Sequence, residues 1–206
     1  MITLIGNLKG GTGKSTVNFN MAVWLAAHRR APLIFDLDPQ RTLTDAVELR
    51  REEGVTPPLE VLHDAARLEG ELPLREILVD VGTADIEAMK IAVRNAQRIL
   101  IPVTPSQADV WSTQRFIAMI RELRDGAAMP QVLAFVNRAD ANPAMRESEE
   151  TAQALQMLSG LSYIRPRLTQ RTAFRRSFSE GLAVFEQEPR GKAATELKQL
   201  AEAIYP

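Results

Sequence analysis

The segment Lys9-Gly10-Gly11-Thr12-Gly13-Lys14-Ser15-Thr16 follows a short apolar stretch at residues 2–5 and leads into a run compatible with a helix. A strand, a glycine-rich loop and a helix in this order form a phosphate-binding site. The loop aims backbone N–H groups at an anion, and the helix dipole adds positive potential at the same point. We expect Lys14 to contact the β- and γ-phosphates of a nucleotide and the Ser15 hydroxyl to coordinate Mg2+.

The composition indicates a globular protein with one core. Its 206 residues are 45% hydrophobic and 25% charged with a net charge of −1, so nucleic-acid binding would require a local basic patch. The absence of cysteine excludes disulfides, thiolate zinc sites and iron–sulfur clusters, and it fits a reducing cytoplasm. No apolar run approaches the roughly 20 residues of a membrane-spanning helix. We expect a single domain over residues 1–206 built around the phosphate-binding loop, without a signal peptide or membrane contact.

Strand-like apolar segments alternate with amphipathic helical segments along the chain. This alternation predicts an α/β fold with a mostly parallel twisted sheet and helices on both faces. Together with the glycine loop it predicts a P-loop NTPase. The predicted strands cover residues 2–5, 32–38, 59–62, 75–83, 98–103, 132–136 and 161–164. The predicted helices begin near residue 15 and, further along, cover residues 42–53, 86–95, 142–158 and 193–204, with another ending at Gly126.

Acidic residues stand at the ends of two predicted strands. Asp36 and Asp38 lie in the segment D-L-D-P-Q, and Asp80 is followed by Val81 and Gly82. Ligands of open α/β sheets bind beyond the carboxyl ends of the strands, so these acids should share an edge with the glycine loop. For the first segment, an ordinary Asp-Pro turn is the alternative.

The glycine loop departs from the general pattern G-x-x-x-x-G-K-[ST]. Leu8 stands where the first glycine should, and Lys9 adds a second lysine. This deviant Walker A form, K-G-G-x-G-K-[ST]-[ST], resembles the ParA/MinD family of P-loop ATPases. The resemblance implies ATP hydrolysis with Mg2+, and a homodimer in which Lys9 reaches across to the partner's phosphates. A glycine loop without a ligand is the alternative, but its two lysines would then repel each other with no anion nearby.

The resemblance also implies roles for the residues at the strand ends. Asp36 would hold the Mg2+ hydration shell, Asp38 would orient the attacking water, and Asp80 would bind Mg2+ through water. The Gly82 N–H would contact the γ-phosphate, although the sequence after Asp80 lacks the family's usual proline-rich or Gly-Gly continuation. The implied catalytic residues are Lys9, Lys14 and Asp38, and the implied metal residues are Ser15, Asp36 and Asp80.

A second group of residues is expected to bind adenine. Asn137 and Arg138 follow the strand at 132–136, and an asparagine amide can pair with the N6 and N7 edge of adenine. The family places an Asn-Arg or Asn-Lys pair here, and the segment P-V-T-P-S with Asp109 nearby is also similar to it. The whole implied nucleotide-binding set is Lys9, Gly10, Gly11, Thr12, Gly13, Lys14, Ser15, Thr16, Gly82, Asn137, Arg138 and Pro166.

The last third of the chain is locally basic. Residues 165–192 contain seven basic and three acidic residues, a net charge of +4 in a chain of −1 overall. Such a patch suits weak, sequence-independent DNA binding through phosphate contacts. Arg171, Arg175 and Arg176 have spacings that could place them on one helix face, and Lys192 extends the candidate set. The alternative is an ordinary solvated helix surface, but residues 169–186 resemble the same region of short plasmid-partition ParA proteins.

The family's members differ in features that this sequence lacks. It has no cysteine for the nitrogenase iron protein's cluster, and it has two tyrosines rather than a kinase's tyrosine cluster. We also expect it to lack a terminal membrane helix like that of MinD. The resemblance therefore implies a cytoplasmic, nucleoid-associated ATPase that partitions or positions a cargo. It also implies a cycle in which an ATP-bound dimer binds nucleoid DNA nonspecifically until a ParB-, ParG- or McdB-like adaptor stimulates hydrolysis and releases it. The alternatives are a small-molecule enzyme of the dethiobiotin synthetase type and a nucleotide-switched binding module. Four cargoes fit such a cycle: a plasmid, a chromosome locus, a carboxysome and a chemoreceptor array.

Overall fold

A parallel β-sheet organises the computed structural model, which describes residues 1–142 and 144–206. The order across the sheet is β3-β2-β4-β1-β5-β6-β7, with β8 pairing with β6, and every described pairing is parallel. The predicted α/β class and parallel sheet are therefore confirmed. The strands are β1 (Ile2–Ile5), β2 (Leu33–Asp36), β3 (Glu60–Leu62), β4 (Ile77–Asp80), β5 (Arg98–Val103), β6 (Gln131–Ala139), β7 (Ser162–Tyr163) and β8 (Leu168–Thr169).

Helices cover both faces of the sheet, because strand residues alternate between two apolar cores. Ile34 and Leu78 join one core with α1, α2, α7 and α8, whereas Leu33 and Val79 join the other with α3, α4 and α5. None of the helices in residues 1–142 and 144–206 is long and apolar enough to cross a bilayer. The helices are α1 (Lys14–Ala27), α2 (Thr42–Glu52), α3 (Ile86–Asn95), α4 (Gln107–Leu123), α5 (Glu147–Met157), α6 (Thr172–Ser179), α7 (Val184–Gln187) and α8 (Lys192–Ile204).

The predicted helix at 142–158 was placed too early. In the structure α5 begins at Glu147, and residue 143 of the predicted range lies outside the described residues. The Ser148 hydroxyl donates to the Asp140 carboxylate at 2.9 Å and accepts from its backbone N–H at 2.8 Å, which ties the first turn of α5 to the end of β6. Acidic residues in that turn also complement the helix dipole.

The strand register gathers the predicted site at one edge of the sheet. Asp80 is the Cα partner of Ile5, the last residue of the strand that leads to the glycine loop, and also of Asp36 on β2. All three strands run in the same direction, so the loop and both acids emerge together. This edge is the one at which an open α/β sheet binds its ligands.

A buried ion pair fixes the chain between α6 and α7 against α2. Arg50 is 1% exposed, and its guanidinium donates to the two Glu186 oxygens at 2.7 and 2.8 Å and to the Gly181 carbonyl at 3.1 Å. Gly181 has a φ of 66°, and a Cβ there would lie 2.7 Å from the backbone nitrogen of Arg50. On α1, the Asn20 amide oxygen accepts the Val184 N–H at 3.0 Å. The segment from α6 to α7 is thus fastened to the two helices that follow the predicted phosphate-site loops.

Candidate nucleotide-binding site

The glycine loop has the backbone conformation that its sequence predicts. Gly11 and Gly13 adopt φ values of 76° and 86°, which other residues rarely tolerate. Gly13 is the residue before α1, and its carbonyl accepts the first helical hydrogen bond from Val17 at 2.9 Å. The Asn137 amide donates to the Thr12 carbonyl at 2.6 Å, and a Cβ at Gly13 would lie 2.6 Å from that amide nitrogen. Both φ and close packing therefore require glycine at position 13.

Lys14 occupies the position expected of a phosphate-binding lysine. Its side chain is nearly buried, and its Nζ lies 3.5 Å from the Lys9 carbonyl of the loop. Burial lowers the pKa of Lys14, while the nearby carboxylates of Asp80 and Asp38 act in the opposite direction. A buried ammonium beside two acids, at the first residue of α1, is arranged for an anion that would complete its coordination.

Asp80 is the residue of the site whose surroundings most directly indicate a bound cation. It is 1% exposed, and neither carboxylate oxygen has a hydrogen-bond partner in the described structure. Burial raises its pKa to about 7, and the repulsion of Asp36 and Asp38 adds to this rise. The Ser15 hydroxyl and the Lys14 charge lower the pKa only in part. An unpartnered carboxylate beside a serine hydroxyl fits the oxygen ligands that Mg2+ prefers.

The protein alone does not form a complete metal cage. Within the described residues, no group of three or more histidine, cysteine, aspartate or glutamate side chains is arranged to hold a metal ion. Mg2+ commonly keeps several water ligands and adds phosphate oxygens to one or two protein ligands. Ser15 and Asp80 would therefore hold Mg2+ together with a bound nucleotide, and the ion would supply charge neutralisation at the phosphates.

Asp36 has a structural role that the sequence did not predict. Its Oδ2 accepts the Thr44 backbone N–H at 2.9 Å and the Thr44 hydroxyl at 2.6 Å, while Oδ1 accepts the Asp38 N–H at 3.2 Å. These bonds fix the first turn of α2 and the backbone of Asp38. The part of Asp36 in the Mg2+ hydration shell stays a prediction.

Asp38 and Gly82 are brought together from neighbouring strand ends. A Cβ on Gly82 would lie 2.7 Å from both the Cγ and Oδ1 atoms of Asp38, so the glycine provides the space that the carboxylate occupies. Asp38 is partly exposed and accepts the Gln40 N–H at 2.9 Å. A carboxylate packed on this backbone, beside the lysine of the loop, is placed to orient a water molecule near a bound phosphate.

The second lysine of the loop is paired within its own chain. Lys9 is 43% exposed at its side chain, and its Nζ donates to the carboxylate of Asp109, which is 1% exposed. Burial would raise the pKa of Asp109, but hydrogen bonds from Lys9, Ser106 and Thr104 outweigh it and hold the pKa below its usual value. Asp109 lies in the first turn of α4, so the described structure directs Lys9 to α4. Its predicted reach into a second subunit stays a prediction.

A cavity of about 270 Å³ opens on the other side of the glycine loop from the acids. Gly13 and two residues of α1, Thr16 and Val17, form its floor, and Asn137 and Arg138 reach it from β6. The rest comes from β8, from α6 and from Gln170 and Arg171 between them. The Asn137 amide nitrogen is engaged by the loop, as described above. Pro166, which was predicted to bind nucleotide, precedes β8 and does not line this cavity.

The predicted DNA-binding residues do not share one surface. Arg171 precedes α6 in an extended conformation, and its guanidinium donates to Glu196 on α8 at 2.6 and 3.0 Å, so the prediction of a common helix face is wrong for it. Arg171 and the exposed Arg175 both line the cavity, but only Arg171 is paired with Glu196, whereas Arg176 and Lys192 are exposed outside the cavity. Glu196 also accepts from Thr169 of β8, a contact that no local sequence signal announced.

Comparison with known families agrees with the geometry of the loop and the strand ends. The model of the CobQ/CobB/MinD/ParA nucleotide binding domain matches residues 3–184. The chain belongs to the ParA/MinD family. It is therefore an ATPase of the ParA/MinD type.

Individual ParA/MinD proteins are similar over nearly the whole chain. Maintenance of carboxysome distribution protein A from Halothiobacillus neapolitanus is 27% identical over 209 residues, covering 98% of this chain and 95% of the relative. Protein ParA from Rhizobium radiobacter is 26% identical, covering 87% of this chain and 83% of the relative. The structure of a Cyanothece McdA variant with ATP has a TM-score of 0.80 at 18% identity, covering 98% and 95% of the two chains, and this likeness shows the shared fold.

Replacing Asp80 with asparagine is expected to stabilise this ParA/MinD ATPase in the absence of nucleotide and metal. A pKa raised from 3.8 to about 7 means that the folded carboxyl binds a proton more tightly than the unfolded one. The free energy of unfolding should therefore fall as pH rises from 4 to 7 and stay low above it. Urea denaturation in EDTA at pH 8 should show a gain of about 2 kcal/mol for Asp80→Asn, because the variant no longer buries a charge. The gain is smaller than the burial cost alone, because Lys14 loses part of its electrostatic support.

The exposed Asp125→Asn provides a matched control for this measurement, and it should leave the unfolding curve unchanged. The gain for Asp80→Asn should shrink at pH 5, where the wild-type carboxyl is largely protonated in the folded state. A variant that is less stable than the wild type at pH 8 would contradict an unpartnered buried carboxylate.

Proposed function

We propose that this ATPase partitions or positions a cargo by an ATP-controlled cycle of binding to nucleoid DNA. The observation that carries the proposal is the edge of the sheet where Lys14, Asp38 and the unpartnered Asp80 meet a glycine loop containing Lys9. The similarity to a carboxysome distribution protein and to a ParA protein over most of the chain supports the cargo role.

The site residues divide the work of ATP hydrolysis among them. The loop N–H groups and Lys14 bind the β- and γ-phosphates, and Ser15 and Asp80 would hold Mg2+, which would neutralise phosphate charge. Asp38, supported on Gly82, orients the water that attacks the γ-phosphate in line with the bond to ADP. Hydrolysis removes the phosphate that the residues around Asp38 and Gly82 contact, so the two strand ends sense the nucleotide state.

The dimer is the second part of the proposal. A homodimer would form around ATP when Lys9 leaves Asp109 and binds the phosphates held by the partner subunit. Lys9 is the more exposed member of its ion pair. Asp109 is buried in the first turn of α4, where its N–H donates to the Ser106 hydroxyl, so the lysine is the partner that can move. Exchange of one carboxylate for a polyphosphate conserves a charge-assisted contact and makes dimerisation depend on ATP.

DNA retention is expected to require ATP and to weaken with salt, because phosphate contacts release counterions. Pull-down with nonspecific duplex DNA, run with ATP, ADP and no nucleotide across a salt series, tests this directly. The double variant Arg176→Ala, Lys192→Ala removes two exposed cations of the basic segment and should weaken ATP-dependent retention by roughly tenfold at low salt.

An arginine distant from this segment serves as the control. Arg94 is exposed in the last turn of α3, and Arg94→Ala should retain DNA like the wild type. Equal retention with ATP and ADP would contradict the cycle. Hydrolysis without DNA binding at any salt would remove the nucleoid from the proposal and favour a small-molecule enzyme.

Release from DNA would be triggered by a cargo adaptor. By analogy with the family, this partner is a ParB-, ParG- or McdB-like protein that stimulates hydrolysis at the dimer. The protein would then work in the cytoplasm on the nucleoid surface. Measuring ATP turnover with DNA and each candidate adaptor from the same genome tests the partner, and stimulation of several-fold is expected for the correct one.

A further inference from the structure

The cavity beside the glycine loop has a wall that differs from the catalytic side of the site. Asp36, Asp38 and Asp80 do not line it, and no described acidic residue does. Its floor at Gly13 and Thr16 continues directly from the part of the loop that binds phosphates. A nucleotide with its γ-phosphate near Asp38 would therefore extend its nucleoside end into this cavity.

The helix α6 supplies the outer wall and has a fixed orientation. Its Phe178 ring packs edge-on against the Phe19 ring of α1, with 5.4 Å between the ring centroids. Phe174 packs against the same apolar core as α1. Successive residues on a helix are turned by about 100°, so Arg175 flanks this packed face while Arg176 points away from it. The structure agrees, since Arg175 lines the cavity and Arg176 does not.

The wall is held from both of its ends. At the start, Glu196 binds Arg171 and Thr169, and at the end the Arg50 ion pair holds the chain after α6. A rigid wall that carries a guanidinium at the mouth of a cavity is suited to a planar ligand. Guanidinium planes stack on aromatic rings more favourably than an ammonium does.

We propose that Arg175 binds the nucleoside end of the bound purine nucleotide, with its guanidinium against the base, rather than DNA. This inference rests on the ATP binding of the proposed function. It gives Arg175, which the sequence predicts to bind DNA, a role in binding the nucleotide. Apolar atoms of Leu168 and Phe174 complete a surface for the base, and Arg138 reaches the Gly13 side of the same cavity.

Nucleotide affinity in the absence of DNA tests the proposal. Arg175→Ala should raise the Kd for ATP and for ADP by about three- to tenfold in calorimetric titrations. The neighbouring Arg176→Ala, which removes the same charge one position along the helix, should change either Kd by less than twofold. Arg94→Ala controls for the overall loss of a positive charge.

Two further measurements separate a base contact from a charge effect. Inorganic tripolyphosphate lacks a base. Its inhibition constant, measured by competition with a fluorescent ATP analogue and corrected for the affinity of that analogue, should be equal for wild type and Arg175→Ala. A loss of affinity for tripolyphosphate equal to the loss for ATP would overturn the proposal. DNA retention by Arg175→Ala should recover at saturating ATP, and a persistent loss there would return Arg175 to the DNA-binding patch.

The outcomes distinguish this inference from the function on which it rests. Wild-type protein that binds no ATP would defeat the proposed function itself. Wild-type protein that binds and hydrolyses ATP, with an unchanged Kd in Arg175→Ala, would defeat only the assignment of Arg175.

Discussion

Lys14→Ala is expected to abolish ATP hydrolysis, with a loss of at least about 100-fold in kcat/KM. The substitution removes the buried ammonium beside the phosphate loop, and it leaves Asp80 and Asp38 facing the triphosphate without that compensating charge. Both the binding of ATP and the stabilisation of the developing charge depend on that ammonium. Steady-state phosphate release, together with nucleotide titration, measures the two effects.

Lys90→Ala is the matched control for this variant. Lys90 is on α3 and pairs with Glu87 in an exposed ion pair, so its loss should leave turnover within about twofold of wild type. Turnover of Lys14→Ala within threefold of the wild type would show that the glycine loop is not the phosphate site.

Asp38→Ala should separate ATP binding from ATP hydrolysis. The carboxylate lies on Gly82 and outside the nucleoside cavity, so its removal should leave the Kd for ATP within about threefold while kcat falls by roughly 100-fold or more. If hydrolysis releases the protein from DNA, the variant should also remain on DNA with ATP. Single-turnover hydrolysis and DNA dissociation after dilution measure the two properties.

Asp45→Ala tests whether any acid lost near this strand end has the same effect. Asp45 is exposed in the first turn of α2, and its replacement should preserve turnover. An unaltered hydrolysis rate in Asp38→Ala would remove Asp38 from the catalytic role and leave its packing on Gly82 as a structural contact.

The phosphate site could be predicted because its information is local. Glycines at fixed spacing, a lysine and a serine specify the loop, and acids directly after apolar strands must emerge where parallel strands end. The register of β2 and β4, with Asp36 beside Asp80, then follows from the parallel sheet. The order of strands across that sheet, and the twofold hydrogen bonding of Asp36 to Thr44, lie beyond spacing rules.

Contacts between distant parts of the chain could not be predicted. Arg50 reads as one more charge on the surface of an amphipathic helix, yet it is buried because Glu186, 136 residues away, neutralises it. The sequence predicts Arg171 to be a free cation, whereas in the structure its guanidinium donates to Glu196 of α8. Local charge predicts electrostatic tendency, but long-range pairing decides which arginines of a basic segment remain available to a ligand.

The bridge between Arg50 and Glu186 also bears on how this protein opens locally. Breaking one partner of a buried pair costs about 3–5 kcal/mol, so α2 and the chain around α7 should exchange their amide hydrogens as one cooperative unit. The wall of the nucleoside cavity adjoins that unit. A nucleotide should therefore slow amide exchange in the second half of α2, which it does not touch, and Arg50→Met should uncouple the two segments.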